Sequence, residues 1–332
     1  MNGGYEIGPI RPPSEAQSTL LRVTRNCPWN KCKFCSIYKN DRFSTRSADE
    51  IKADIDLISS YKNNARESVF LQDANTMVLS YDKLREILVY LRQKLPWVKR
   101  VTSYGRADSL TKFSVEQLRG LKEAGLDRIH SGYESGSDKV LTLINKGYTK
   151  AQEIEAGQKV KESGIELSVY FMPGVGGKDL SCENAVETAD VVNKVNPDFV
   201  RIRTFVSKPG TDLLIDINTG LIKECTDIEK LLELKKMIEN IDSADGYLYS
   251  DHIINLLPEI NGNMKTDKEE MLSAIIAFEN LDTREQRTYQ IARRMGMSGY
   301  FLNTEIVENC LDELVTEEEF EAFLLSFLRR YI

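Results

Sequence analysis

Three cysteines, Cys27, Cys32 and Cys35, stand close together near the start of this 332-residue sequence. Their spacing is C-x4-C-x2-C within Thr24-Arg25-Asn26-Cys27-Pro28-Trp29-Asn30-Lys31-Cys32-Lys33-Phe34-Cys35. Thiolates in such a triple can hold three irons of a [4Fe–4S] cube and leave the fourth iron open to an outside ligand. An electron-transfer cluster takes four protein ligands, and so does a structural zinc site. A triple with no fourth cysteine nearby therefore points to a cluster that binds something. A zinc knuckle, or three unrelated thiols, is the alternative.

In this stretch the sequence resembles the radical S-adenosylmethionine (SAM) superfamily, whose usual spacing is C-x3-C-x2-C with an aromatic residue before the last cysteine. Phe34 matches the aromatic position, and the first gap is one residue longer than usual. The resemblance implies a [4Fe–4S] cluster on Cys27, Cys32 and Cys35, with SAM as second cofactor chelating the fourth iron. It implies reductive cleavage of SAM to a 5′-deoxyadenosyl radical that abstracts hydrogen from a substrate, and an external electron donor such as flavodoxin or ferredoxin. A different class stays open beside it: an iron–sulfur redox protein, or a SAM-binding regulator without turnover.

A loop of this kind needs a scaffold. Apolar, β-prone runs at Leu20–Thr24, Ser68–Leu71, Arg100–Ser103, Arg128–Gly132, Glu166–Phe171 and Phe199–Phe205 alternate with stretches of helical spacing. The helical stretches are Ala48–Tyr61, Tyr81–Leu95, Ser114–Ala124, Lys150–Ser163 and Ser181–Val195. Strand–helix alternation predicts parallel β/α units. The resemblance makes of them an α/β fold, a partial (β/α)6 barrel (a partial TIM barrel) with a helical C-terminal extension. The expected divisions are an N-terminal arm over 1–17, a core over 18–213 and a helical region over 214–332. The Pro12-Pro13 pair suggests an extended arm near the barrel mouth.

Chemistry in such folds gathers at the C-terminal ends of the strands. After the second strand, Asp73 and Asn75 stand where the resemblance places acceptors for the SAM ammonium; capping of the next helix is the alternative. After the third, Arg106 is a candidate for the methionyl carboxylate, or a surface arginine bonded to a neighbouring loop. After the fourth comes Glu134-Ser135-Gly136-Ser137-Asp138-Lys139-Val140-Leu141, then Asn145-Lys146-Gly147-Tyr148-Thr149. This looks like the "ESGS…VL…KG.T" segment of the branch holding oxygen-independent coproporphyrinogen oxidases, methylthiotransferases and cobalamin-linked members. It implies SAM contacts for Glu134 and Ser135. On the sixth strand, Arg201 and Arg203 share a face by the period of two. That face is expected to point inwards, with SAM carboxylate or an acidic substrate as partner. In Ser250–Gly262, His252 and Asn255 are potential substrate contacts, with a core or capping role for His252 the plainer expectation; His130 is expected to be packed within its strand.

Composition narrows the rest. Asp and Glu outnumber Lys and Arg by 51 to 44, which argues against a large nucleic-acid surface; a small-molecule substrate is expected. The start lacks a basic segment followed by an apolar one, and no long apolar run is present, so neither secretion nor a membrane span is expected. Cys182, Cys225 and Cys310 are scattered, which speaks against disulfide staples and an auxiliary cluster and for a reducing, cytoplasmic setting. There is no Asp-x-His-x-x-Gly run of the cobalamin-binding kind. Only 26 residues precede Cys27, so the second cysteine triple of a methylthiotransferase is not expected.

Overall fold

Strand after strand in this chain sets apolar residues on one face and polar or aromatic residues on the other, and helices cover the apolar face. In the computed structural model, which describes residues 5–39, 41–61, 66–297, 304–314 and 316–331, the chain enters through β1 (Thr19–Arg22). A short antiparallel ribbon follows, β2 (Thr24–Arg25) with β3 (Ser44–Thr45), and the cysteine loop is the excursion between its two strands. Next come β4 (Ser68–Gln72), β5 (Arg100–Tyr104), β6 (Arg128–Glu134), β7 (Glu166–Phe171), β8 (Phe199–Ile202), β9 (Tyr247–Tyr249) and β10 (Asn261–Asn263). The main sheet runs β1-β4-β5-β6-β7-β8-β9-β10, parallel from β1 to β9, with β10 antiparallel.

The six expected strands thus form the parallel core in sequence order, and the region beyond 213 adds two strands to the same sheet. Tyr247-Leu248-Tyr249 is too short to display a period of its own. It becomes a strand because it pairs with β8, where Val200 lies opposite Leu248.

Five helices, α1 (Ala48–Ser60), α2 (Tyr81–Lys94), α4 (Val115–Ala124), α6 (Lys150–Glu162) and α7 (Ser181–Val195), cover the outer face. Shorter α3 (Ala107–Leu110) and α5 (Asp138–Leu143) stand beside the strand ends. Ile87, Leu88 and Leu91 of α2 are fully buried in one core with Val69, Leu71 and Val101. Each such side chain contributes about 1.5–3 kcal/mol. Starts are fixed by reciprocal capping, Ser47 with Glu50, Ser114 with Gln117 and Thr149 with Gln152. The C-terminal helices are α8 (Asp212–Asn218), α9 (Asp227–Glu239), α10 (Lys268–Glu279), α11 (Thr283–Arg294), α12 (Thr304–Glu313) and α13 (Glu317–Leu328). No described helix is long and apolar enough to cross a membrane.

The inner face carries Phe70, Tyr104, His130 and Tyr170, whose rings sit 5.0–6.3 Å from their neighbours. Val200 and Ile202 belong to the outer core, so Arg201 projects inwards, where its guanidinium lies over the Tyr249 ring. The N-terminal arm does not stop at the mouth. Gly8 N–H donates to Gln72 Oε1 and Gln72 Nε2 donates to the Ile10 carbonyl, which lays the arm along the inner face. It then drives Glu15, fully buried, onto His130 Nε2 at 3.2 Å and Arg100 at 3.1 Å. Burial would push the Glu15 carboxyl up, but hydrogen bonds from His130 and Ser18, with the nearby Arg100 charge, hold it well below the usual carboxylate range. Burial pushes the His130 imidazole down, in keeping with a packed histidine. The first four residues of the arm lie outside the described residues.

Candidate functional site

The cysteine loop is clamped from three sides. Below it, buried Asp73 accepts from Arg22 Nη2 at 2.9 Å, from Asn26 N–H at 3.2 Å and from the Tyr38 hydroxyl. Beside it runs the segment after α5: Lys33 N–H donates to the Ile144 carbonyl, Trp29 Nε1 to the Asn145 carbonyl, and Asn145 Nδ2 to the Lys31 carbonyl. Gly147 adopts φ +84°, and a Cβ there would collide with the Trp29 ring, so glycine answers two demands at once. On the third side, Leu213 N–H at the start of α8 donates to the Lys33 carbonyl, and Lys33 pairs with Asp216 at 2.8 Å.

On this mount Cys32 is buried while Cys27 and Cys35 are partly exposed. Asn30 N–H reaches the Cys27 sulfur at 3.4 Å. Burial pushes the Cys32 thiol up, and the charges of Lys146 and Arg106 pull it back. Among the described residues, no three His, Cys, Asp or Glu side chains converge closely enough for a single metal ion. Three thiols carried on one short loop are a donor set that a [4Fe–4S] cube can take, one thiolate to each of three irons. The three thiols, one buried and two facing out beside buried cations, fit the cube.

Phe34 packs into a satellite core with Val140, Ile144, Met172 and Phe205, which orients the last turn of the loop. Arg106 is nearly buried, not a surface group. Its Nη2 donates to the Lys146 carbonyl at 2.8 Å, its Nε pairs with Asp108 at 2.9 Å, and its guanidinium lies over the Trp29 and Tyr148 rings. Asn75 does not cap the turn that follows it. Its Oδ1 accepts from Arg106 N–H at 3.1 Å and its Nδ2 donates to Ser109 at 2.8 Å. Asp73 and Asn75 are thus the fasteners of the cysteine loop and of Arg106.

Glu134 ends β6 with φ +70°, where the register against β7 shifts between Gly132 and Glu134. A non-glycine residue there costs about 1–3 kcal/mol and is characteristic of functional sites. Its Oε1 meets Lys146 Nζ at 2.9 Å, and that ammonium lies 5.6 Å from the centre of the Phe34 ring. Ser135 turns away: its hydroxyl donates to Asn184, which itself donates to Glu233 at 2.7 Å. Burial pushes Glu233 up to about 7.

Between the cysteine loop and the ends of β7 and β8 opens a small cleft of about 50 Å3. Phe34, Cys35, Met172, Arg203 and Lys208 line it. Arg201 stands apart from this group and pairs with Asp251 at 3.2 Å. His252 accepts from Ile254 N–H through Nδ1, and burial, with Arg203 nearby, pushes it down to about 4. Asn255 is structural, accepting from Thr204 N–H and donating to the Ile202 carbonyl. Lys146, Lys208, Trp29 and Gly147 had no assigned role in the sequence, although the Asn145-Lys146-Gly147 run was the available signal.

The family model for the radical SAM superfamily matches residues 21–189. An uncharacterised methyltransferase of Pyrococcus horikoshii is 26% identical over 227 residues, 65% of this chain and 47% of its own. A tRNA-2-methylthio-N(6)-dimethylallyladenosine synthase of Finegoldia magna is 25% identical over 288 residues, 84% of this chain and 58% of its own. The chain spans about half the length of the first of these relatives and less than two thirds of the second. Among solved structures, the radical S-adenosylmethionine methyltransferase TsrM of Kitasatospora setae, with cobalamin and [4Fe-4S] cluster bound, aligns over 95% of this chain and 61% of its own. The TM-score is 0.51 at 14% identity, a likeness of fold.

Proposed function

Because the chain belongs to the radical SAM superfamily, we propose that it is an enzyme that opens a hydrogen-abstraction reaction on a small-molecule substrate at the cleft beside Cys35. Its cofactors are a [4Fe–4S] cluster and SAM. When bound, they supply one chemistry: an electron splits SAM into methionine and a 5′-deoxyadenosyl radical, which takes a hydrogen atom from the substrate.

The protein's own residues hold and shield. Cys27, Cys32 and Cys35 hold the cluster, with Arg106 and Lys146 supplying positive charge behind the thiolates. Glu134, partnered only by Lys146 among the described residues, has acceptor capacity for an ammonium or ribose hydroxyl of SAM. Phe34 and Met172 line the cleft with apolar surface that limits water. An external donor of the flavodoxin or ferredoxin class supplies the electron. Relatives named for methyl and methylthio transfer favour a group-transfer outcome for the overall reaction.

The observation that carries this reading is the mounting of the cysteine loop, with Cys35 opening onto the cleft. The test is anaerobic reconstitution followed by dithionite and SAM. Release of 5′-deoxyadenosine is expected, slow without substrate. A fully loaded cluster with no 5′-deoxyadenosine would leave a SAM-binding or redox protein instead.

A further inference from the structure

Cations on the inner face are matched one by one. Arg22 pairs with Asp73, Arg100 with Glu15, Arg128 with Glu166, Arg201 with Asp251 and, at the strand end, Lys146 with Glu134. Arg203 and Lys208 break the pattern. Both line the cleft next to Cys35, and among the described residues neither forms an ion pair or a side-chain hydrogen bond.

Neither group floats. Arg203 N–H donates to the Phe171 carbonyl at 2.9 Å, which extends the β7–β8 pairing and fixes the residue at the strand end. The Lys208 carbonyl accepts from Thr211 Oγ1 at 2.7 Å in the turn that leads to α8. Two half-buried cations that line one cleft without an ion-pair partner among the described residues are costly. An incoming oxyanion would relieve both.

We propose that Arg203 and Lys208 form the binding site for an oxyanion, carboxylate or phosphate, of the substrate. Most of the remaining wall, Phe34, Met172, Phe205 and Ile254 among it, is apolar, with Ser36 and Thr204 as polar exceptions, so the substrate class is a small acid or phosphate ester with an apolar body next to its anionic end. This rests on the reading of the cleft as the substrate site. It places the anion on the β8 side of Cys35, whereas Glu134 and Lys146 lie at the end of β6.

The test is calorimetric titration of inorganic phosphate into the anaerobic, cluster-loaded protein, with and without saturating SAM. One saturable site is expected that persists when SAM is present. Lys208→Met and Arg203→Gln should each weaken it roughly tenfold or more, the scale for losing a hydrogen bond to a charged group, with iron content unchanged in both. Absence of saturable phosphate binding, binding unaffected by both variants, or displacement of phosphate by SAM would each overturn the proposal; displacement would hand the two cations to the SAM carboxylate. Failure of the broader reading shows separately, as no 5′-deoxyadenosine from the unaltered protein, while the SAM-free titration still reports on the cation pair.

Discussion

Lys146 Nζ lies 2.9 Å from Glu134 Oε1, and both side chains are nearly buried. The pair links the end of β6 to the segment that cradles the cysteine loop. The same lysine faces the Phe34 ring and bears electrostatically on Cys32. One side chain therefore couples the cluster mount to the carboxylate proposed to contact SAM.

Loss of the Glu134 carboxylate should be felt in SAM binding before it is felt in the fold. We expect Glu134→Gln, which keeps the shape, to weaken SAM by about 1–3 kcal/mol, measured by equilibrium dialysis on the cluster-loaded protein. Unchanged affinity would confine Glu134 to holding Lys146.

The cluster ligands separate cleanly from the other thiols. Reconstituted protein should hold about four irons and four sulfides per chain. Alanine at Cys27, Cys32 or Cys35 should abolish most of the visible absorbance and iron. Alanine at exposed Cys182, buried Cys225 or partly buried Cys310 should leave both in place. A full cube in the Cys32→Ala protein would overturn the ligand assignment.

Asp73 offers a test of mounting as distinct from ligation. Its fully buried carboxylate holds Arg22, the Asn26 amide and the Tyr38 hydroxyl. Removing one partner of a buried ion pair costs about 3–5 kcal/mol. Asp73→Ala should lower stability in urea unfolding by that order and speed iron loss to a chelator, although no cluster ligand has changed. Normal iron retention at reduced stability would detach Asp73 from the mount.

His252 sets a pH dependence. Folding lowers its pKa from the ordinary 6.5 to about 4, through burial and then the Arg203 charge. Between these values the unfolded chain binds a proton that the folded chain does not, so stability rises with pH. The contribution is complete above about 6.5 and is lost as pH falls towards 4. His252→Asn should flatten the stability–pH curve of the cluster-free protein within that window. An unaltered slope would show that the imidazole titrates alike in both states.

The cysteine triple and the strand–helix alternation were legible in the sequence because both are local. A C-x4-C-x2-C run is its own signature, and a helix or strand declares its period within a dozen residues. The expected ranges for α1, α2 and α7 accordingly match their observed spans to within a residue. The period of two also placed Arg201 and Arg203 on one face. Its inward direction follows from the apolar Val200 and Ile202 on the outer face, but that Asp251 meets Arg201 depends on a residue 50 positions away.

The tertiary structure decided what no window contains. Asp73 reaches Arg22 across 51 positions, Trp29 reaches Asn145 across 116, and His130 reaches Glu15 across 115. Such contacts give Asp73 and Asn75 the fastening of the loop and of Arg106, and lay the leader as a strip along the inner face. Their partners are chosen by sheet order and register, which arise only when the apolar faces of several strands are buried together. The addition of β9 and β10 has the same cause: a three-residue strand has no periodicity to display, and only the open edge of β8 makes it one.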